Sequence, residues 1–136
     1  MKKILIDSGP LIALFDASDK HHARAINFIK NNNSILVTTI ASITETLHLL
    51  NFNRHAQIDF LEWINQGAVE IYSIKNTDFG RIKELTIKYS DLPMDFAEAC
   101  LVLLAEKLDI NQIATIDRDF TIYKIKGRKR FNVVLS

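Results

Sequence analysis

The sequence predicts an α/β fold, namely a three-layer α/β/α sandwich around a central, mostly parallel sheet of four to five strands. Short apolar runs alternate along the chain with longer segments of helical periodicity, which is the pattern of strands joined by crossover helices. The apolar runs are continuous, as expected when helices cover both faces of a sheet. The segment 95–108 is apolar almost all round, so we expect a helix buried in the middle of the molecule.

The first half of the chain predicts two strands and four helices. The apolar run 4–6 ends at Asp7, and the sequence Ser8-Gly9-Pro10 then begins a helix, with the proline at the first helical position. A later helix carries a predicted buried face of Ile40, Ile43, Leu47 and Leu50. In order, the elements are a strand over residues 4–6, helices over 11–16 and 21–32, a strand over 35–37, a helix from Ile40 and a helix over 54–66 that stops at Gly67.

The second half of the chain predicts two further strands, two helices and a possible fifth strand. The segment Leu92-Pro93-Met94 lies between the two helices. The elements are a strand over residues 69–74, a helix over 77–89, the apolar helix over 95–108, a strand over 113–116 that leads into Asp117, and a possible strand over 131–135.

Length and composition indicate one ordinary globular domain over residues 1–136. A chain of 136 residues typically buries about 68% of the surface of its unfolded form. Hydrophobic residues make up 48% and charged residues 24%, which is typical of a globular rather than a disordered chain. The single cysteine excludes an internal disulfide and fits a reducing cytoplasm. No apolar run approaches the roughly 20 residues of a membrane span, so we expect no membrane association.

Five acidic residues are expected at one edge of the sheet. Asp7 and Asp117 each follow an apolar strand, and ligands of open parallel sheets bind beyond the carboxyl ends of the strands. Glu45, Asp95 and Glu98 lie near the starts of helices that begin at the same edge. Each of these acids also has a structural explanation, since Ser42 with Glu45 and Asp95 with Glu98 have the spacing of capping boxes.

The predicted grouping of acids favours a divalent cation. Two like charges about 4 Å apart repel by roughly 4 kcal/mol at an effective dielectric near 20, in a domain stable by only about 5–15 kcal/mol. Only Asp117 has a cation, Arg118, within two residues of it in the sequence. Oxygen ligands suit Mg²⁺ or Mn²⁺, and no His/Cys spacing suits zinc. We expect Asp7 and Asp117 to be the main ligands, with Glu98 and Asp95 beside them.

The last part of the chain is basic. The net charge is only +1, but five cations fall close together near the C-terminus. They have two interpretations, a solvated basic hairpin or loop and a surface that contacts RNA phosphates together with Arg118. The five residues are Lys124, Lys126, Arg128, Lys129 and Arg130.

The chain resembles PIN domains, and among them the VapC-type toxins of toxin–antitoxin modules. Four segments carry the resemblance in order and at matching spacing: the run from Ile4 to Leu14, Thr44-Glu45, the run from Leu92 to Ala99, and the run from Ala114 to Phe120.

The resemblance implies a metal-dependent endoribonuclease that uses Mg²⁺ or Mn²⁺. Its catalytic acids correspond to Asp7, Glu45, Glu98 and Asp117, with Asp95 as an extra acid. The family usually has aspartate where this chain has Glu98, which alters the reach of that ligand. Ser8 and Thr115 match small hydroxyl positions beside the acids, although a helix cap and strand preference explain them equally well. Asp119 is a further supporting candidate, but its position favours a cap for the turn that follows Asp117. The implied partners are an RNA substrate, a small antitoxin protein and a second copy of the chain in a homodimer.

Two rival functions stay open from the sequence. Asp7 after a strand is also compatible with phosphoryl transfer through an aspartyl intermediate, although no second aspartate follows two residues later. Glu98 keeps open an inactive or weakened module that binds RNA or protein through the acidic groove. The RNA that is cut, the number of metals and the identity of any antitoxin do not follow from the sequence.

Overall fold

The computed structural model describes residues 1–135, and Ser136, the last residue of the predicted domain, lies outside the described residues. The strands are β1 (Lys3–Ile6), β2 (Ile35–Thr39), β3 (Val69–Tyr72), β4 (Gln112–Ala114), β5 (Lys124–Ile125), β6 (Lys129–Arg130) and β7 (Asn132–Val133). The helices are α1 (Ser8–Phe15), α2 (His22–Asn31), α3 (Ile40–Leu49), α4 (Arg54–Asn65), α5 (Phe79–Lys88) and α6 (Phe96–Leu108), with short 3-10 turns at Asn76–Asp78 and Arg118–Thr121.

The central sheet has five parallel strands in the order β3-β2-β1-β4-β7. This confirms the predicted parallel sheet and the possible fifth strand. The chain first adds β2 and β3 on one side of β1 and then crosses over to place β4 on the other side. The strand order therefore reverses between β1 and β4, and such a switch point opens a crevice at the carboxyl ends of the two strands. Asp7 and Asp117 follow these two strands.

Two apolar cores cover the two faces of the sheet and confirm the three-layer sandwich. Successive residues of β1 point to opposite faces, so that Leu5 belongs to one core and Ile4 and Ile6 to the other. The first core contains α6, whose residues from Ala97 to Ala105 are all buried, as the all-round apolar helix predicts. The second core packs side chains of α1, α3 and α4 around Phe60.

Three local predictions were wrong. Helix α1 begins at Ser8 rather than Leu11, because Asp7 caps it, so Pro10 is the third helical residue instead of the first. A proline is tolerated there because the first four N–H groups of a helix have no partner within it. Ile40 is 58% exposed at the first turn of α3, outside the predicted buried face. Strand β4 ends at Ala114, two residues before Ile116, so Asp117 is reached through a short connecting segment.

The basic residues near the C-terminus form an antiparallel hairpin, β5–β6, as one interpretation of the sequence expects. Lys126 and Gly127 turn the chain with φ of 54° and 75°, and the glycine adopts this left-handed conformation without steric cost. The hairpin runs along the C-terminal half of α6, since the Lys126 N–H donates to Glu106 Oε2 at 2.8 Å.

None of the helices within residues 1–135 is both long and apolar enough to cross a membrane.

Candidate active site

A cavity of about 310 Å³ lies at the carboxyl ends of β1 and β4 and collects the predicted acids. Asp7 directly follows β1, and Asp117 follows β4 after a short connecting segment. Asp95 caps α6 and Glu98 lies in its first turn, while Glu45 lies in the middle of α3. Among the described residues, none that lines this acidic cavity is Lys or Arg. The carboxylates that line it are Asp7, Glu45, Asp95, Glu98 and Asp117.

Asp7 is buried at the floor of this cavity and is held by two hydrogen bonds. Its Oδ1 accepts from the Ser8 N–H at 2.8 Å, which caps α1, and its Oδ2 accepts from the Thr115 hydroxyl at 2.9 Å. Burial raises the pKa of Asp7 to about 6, and the negative charges of Glu45 and Asp117 act in the same direction against these two hydrogen bonds. A buried carboxylate next to other acids therefore binds a proton near neutral pH.

Two hydroxyl groups connect the acids to one another. Thr115 Oγ1 donates to Asp7 and accepts from the Asp117 N–H at 3.0 Å, so one side chain aligns the ends of β1 and β4. Ser8 Oγ donates to Glu45 Oε1, which ties α1 to α3. Ser8 therefore bonds a site acid, while Asp7 is the residue that caps α1. Glu45 is half-buried and does not form the capping box suggested for Ser42, because α3 already begins at Ile40.

The other suggested capping box, at the start of α6, is present. Asp95 Oδ1 accepts from the Glu98 N–H, and Glu98 Oε1 accepts from the Asp95 N–H, both at 2.8 Å. Glu98 is buried whereas Asp95 is exposed. The Glu98 carboxyl also shares a hydrogen bond with Asp117. The longer glutamate side chain thus reaches back to cap α6 and at the same time contacts the acid at the end of β4.

Glu98, Asp117 and Asp119 form the tightest group of carboxylates. One oxygen from each lies within 4.8 Å of the other two. Asp117 caps the 3-10 turn, because its side chain accepts from the Asp119 N–H at 2.9 Å. The predicted turn cap is therefore Asp117 rather than Asp119, and the Asp119 carboxylate belongs to the acidic group. A set of three oxygen ligands fits a hard divalent cation such as Mg²⁺ or Mn²⁺.

The electrostatics of the group also fit a cation. Burial, followed by the hydrogen bond with Asp117, raises the pKa of Glu98 to about 9. Without a cation the group therefore retains a proton at neutral pH, because a full set of negative charges at this separation is unfavourable. Glu98, Asp117 and Asp119 could hold a divalent ion, whose charge would offset theirs and favour the deprotonated carboxylates.

Tyr123 is a site residue that the sequence analysis missed. Its ring is fully buried in the first core against Tyr89 and Phe120, and its hydroxyl lies near Glu98. Burial first, and then the charge of Glu98, raise the pKa of this hydroxyl, so it stays protonated. No motif marks this position, since Tyr123 lies outside the four segments that carry the family resemblance.

The family is shown by a match along most of the chain. The family model described as PIN domain matches residues 4–126. The chain belongs to the PIN domain family. A relative of this PIN domain, ribonuclease VapC26 of Mycobacterium tuberculosis, is 27% identical over 134 residues, which are 96% of this chain and 99% of that protein.

A solved structure shows the same fold. It is the crystal structure of Mycobacterium tuberculosis VapC20, described as a toxin that cleaves the sarcin-ricin loop. The two chains superpose with a TM-score of 0.80 at 19% sequence identity, over 88% of this PIN domain and 93% of VapC20.

The structure separates the predicted RNA-binding cations of the PIN domain into two places. Arg118 directly follows Asp117 and is exposed beside the acidic cavity. The hairpin lies along the far part of α6, where Lys129 Nζ is 3.8 Å from Asp109 Oδ1 at the end of that helix. At 1.5 Å per residue, Glu106 is about 12 Å along the α6 axis from Glu98. The hairpin residues Lys124, Lys126, Arg128, Lys129 and Arg130 are therefore not brought into the acidic cavity.

An apolar groove of about 810 Å³ adjoins the acidic cavity of the PIN domain. Glu45 and Asp95 line both spaces. The rings of Phe79 and Phe96 stack at 5.8 Å along the groove, each about half exposed, and Ile40 lies on the same surface. Exposed apolar side chains in one continuous groove are typical of a surface that binds another molecule.

Proposed function

We propose that this PIN domain is a divalent-metal-dependent endoribonuclease that hydrolyses RNA phosphodiester bonds and is the toxin of a toxin–antitoxin module. The observation that carries the proposal is the acidic cavity at the switch point of the sheet, where five carboxylates converge and no Lys or Arg among the described residues lines the cavity. The ribonuclease relative, which aligns over almost the whole chain, supports the choice of RNA hydrolysis.

The metal ligands proposed from the geometry are Glu98, Asp117 and Asp119, with Asp7 and Asp95 on the wall of the same cavity. Asp119, which the sequence suggested only as a supporting residue, is therefore proposed as a metal ligand. A bound Mg²⁺ or Mn²⁺ supplies the positive charge that lowers the pKa of an attacking water and offsets the charge of the phosphate.

The residues of the chain position the reactants and move the proton. Asp7 has a pKa near 6, so it can accept and release a proton at neutral pH. Its two hydrogen bonds, from the Ser8 N–H and the Thr115 hydroxyl, hold its carboxylate in one orientation. Glu45, which accepts from Ser8, faces the cavity from α3 and is the second candidate to accept a proton.

The partners proposed are RNA, a small antitoxin and a second copy of the chain. The apolar groove supports the antitoxin, because a segment bound to Phe79 and Phe96 would also cover Glu45 and Asp95. A cationic side chain on such a segment would neutralise the acids. Homodimerisation and a cytoplasmic location are proposed from the family resemblance, and light scattering of the purified protein tests the first of these.

The alternative function, an inactive binding module, is less favoured than the enzyme. It depended on Glu98 in place of the usual aspartate, yet Glu98 lies in the carboxylate group and contacts Asp117. The longer glutamate side chain still reaches this carboxylate group, while its Oε1 accepts from the Asp95 N–H and caps α6. Nothing in the site favours an aspartyl phosphate intermediate, since Asp7 is buried and both its oxygens accept hydrogen bonds.

The test is cleavage of a quenched fluorescent single-stranded RNA and of a tRNA pool in Mn²⁺, Mg²⁺ or EDTA. We expect cleavage with metal, none with EDTA, and a loss of roughly 100-fold or more in Asp7→Asn, because that variant removes a charge and a proton acceptor. The matched control is Asp59→Asn, an exposed residue of α4. If neither the protein nor its Glu98→Asp variant cuts any RNA, the nuclease proposal is wrong.

A further inference from the structure

The hydroxyl of Tyr123 is a buried polar group that has no role in the packing of the core. The side chain is fully buried, and within residues 1–135 its hydroxyl forms no hydrogen bond of ordinary geometry. The large majority of buried side-chain polar atoms in proteins have a hydrogen-bond partner, and a group that lacks one destabilises the folded state. The chain therefore retains this hydroxyl at a cost to its stability.

Packing accounts for the ring of Tyr123 but not for its hydroxyl. The ring makes edge contacts with Tyr89 and Phe120, at 4.9 Å and 5.1 Å between ring centroids, and Phe120 in turn contacts Phe131 at 5.4 Å. Two members of this aromatic cluster are phenylalanines, so a ring without a hydroxyl suits this part of the core. The hydroxyl of Tyr89 has a structural role, since it accepts from the Lys124 N–H at 2.9 Å. The hydroxyl of Tyr123 has no such role.

The hydroxyl of Tyr123 lies beside the tightest group of carboxylates. The acids near it are Glu98, Asp119 and Asp117, the same three that each place an oxygen within 4.8 Å of the others. The 3-10 turn after β4 explains this proximity. The side chain of Asp117 caps the turn, and the Tyr123 N–H donates to the Asp119 carbonyl oxygen at 3.0 Å. The fold thus brings an unpartnered hydrogen-bond donor from the core to the carboxylate group.

Glu98 is the acid of this group that most needs a second donor. Its Oε1 accepts from the Asp95 N–H at 2.8 Å, which fixes one oxygen at the start of α6. A single backbone donor leaves the plane of the carboxylate free to rotate about that oxygen. Glutamate also has one more rotatable bond than the aspartate that is usual in the family, and Mg²⁺ binds with near-ideal octahedral geometry. A donor to the Glu98 carboxylate from the core would restrict this freedom.

We propose that Tyr123 is a positioning residue of the metal site, whose hydroxyl donates a hydrogen bond to the Glu98 carboxylate and holds it in the orientation that a divalent cation requires. The inference rests on the proposed function, because it takes Glu98 as a metal ligand. Partners that bind a metal ligand from behind fix its orientation and raise the metal affinity. A hydrogen bond to a charged carboxylate is also stronger than one between neutral groups. The contribution to metal binding explains a hydroxyl that is unfavourable in the metal-free protein.

The test compares Tyr123→Phe with Tyr89→Phe, because each variant removes one buried hydroxyl from the same aromatic cluster. The probe is Mn²⁺, and electron paramagnetic resonance of the free ion gives its Kd for the full chain. Thermal unfolding in EDTA gives the melting temperature of each metal-free protein. Cleavage of the fluorescent RNA at limiting and at saturating Mn²⁺ is the third measurement.

We expect the two variants to have opposite effects. Tyr123→Phe should raise the Kd for Mn²⁺ by about 10- to 100-fold. Its melting temperature in EDTA should not fall, because the hydroxyl that it loses has no partner among the described residues. Tyr89→Phe should leave the Kd unchanged and lower the melting temperature by about 3 °C or more, because the Lys124 N–H loses its acceptor.

The RNA assay separates a role in metal binding from a role in RNA binding. Tyr123→Phe should cut RNA more slowly than the wild type at limiting Mn²⁺ and recover at saturating Mn²⁺, with an unchanged KM for RNA. A merely structural change in the core would not be reversed by the metal concentration.

Three results would overturn the positioning role. The first is a Tyr123→Phe protein that binds Mn²⁺ as tightly as the wild type, and the second is a wild type that binds no Mn²⁺. The third is a Tyr123→Phe protein whose melting temperature in EDTA falls as much as that of Tyr89→Phe, since the hydroxyl would then be a structural group. Failure of the proposed function gives a different result, namely tighter Mn²⁺ binding by the wild type than by Tyr123→Phe without RNA cleavage by either.

Discussion

The substitution Glu98→Gln tests whether the carboxylate group retains a proton when no metal is bound. The pKa of Glu98 in the folded state is about 9, above the ordinary value of 4.5. Between these two pH values, the folded state therefore keeps a proton on Glu98 that the unfolded state has lost. The free energy of unfolding therefore falls as the pH rises from 4.5 towards 9 and levels off above 9. The amide introduced by Glu98→Gln mimics the protonated acid and should abolish this dependence.

The expected loss of unfolding free energy between about pH 6 and pH 9 can be estimated in two ways. One proton costs at most about 1.4 kcal/mol per pH unit, which is about 4 kcal/mol between roughly pH 6 and pH 9. Two carboxylates at 4.8 Å, the largest separation within the group, repel by about 3.5 kcal/mol at an effective dielectric of about 20. Asp117 and Asp119 are half-exposed, and solvent screening reduces the loss to about 2 kcal/mol. For 136 residues the unfolding entropy is about 290 cal/mol/K, so the melting temperature falls by about 7 °C.

The assay is thermal unfolding by circular dichroism at about pH 6 and about pH 9, in EDTA and in Mg²⁺. In EDTA the wild type should lose about 7 °C between the two pH values, and Glu98→Gln about 2 °C or less. Mg²⁺ should restore the wild type at the higher pH and leave the variant unchanged. The control Glu84→Gln, at an exposed position of α5, should behave like the wild type. Equal pH dependence in wild type and Glu98→Gln would show that Glu98 does not retain this proton.

The remaining predictions concern the groups around Glu98. Thr115→Val removes the hydroxyl that bonds both Asp7 and the Asp117 N–H, so urea unfolding should show a loss of about 1–3 kcal/mol that Thr115→Ser avoids. Asp95→Ala removes the cap of α6 at a cost of about 1 kcal/mol, whereas Asp95→Ser keeps a cap without the charge. If Asp95→Ser cuts RNA at the wild-type rate, Asp95 is a cap and not a ligand. Mg²⁺ at about 100 times its Kd should stabilise the wild type by about 2.7 kcal/mol, and no rise in melting temperature would argue against a metal site.

Much of the acidic site could be anticipated from the sequence because strand ends and helix starts have a defined position in a parallel α/β fold. Asp7 follows an apolar run, and Glu98 lies on the first turn of the most apolar helix, so topology alone directs both to the carboxyl edge. The observed cavity does contain both. The local roles were harder to assign, because Asp7 both caps α1 and faces the cavity, and Ser8 bonds Glu45 instead of capping.

The position of the basic residues relative to the acidic cavity could not be predicted from the sequence, for a physical reason. A cluster such as Lys126, Arg128 and Lys129 is conspicuous in the sequence, but the turn at Gly127 directs it along the far half of α6. By contrast, Lys20 and Arg118 line one cavity although they are separated by more than ninety residues in the sequence. Their proximity depends on how α2 packs beside the end of β4, which no local pattern encodes.

The parallel sheet, the buried central helix and the family could be predicted without coordinates, because apolar periodicity and short motifs are local properties of the chain. Which carboxylate and hydroxyl oxygens lie close together depends instead on how the elements pack. The register of α6 against the turn after β4 brings the carboxylates of Glu98 and Asp119 within 4.8 Å of each other. The same register places the hydroxyl of Tyr123 near Glu98. A shift of a few ångströms in that packing would separate these groups, since hydrogen bonds and charge interactions act over such short distances.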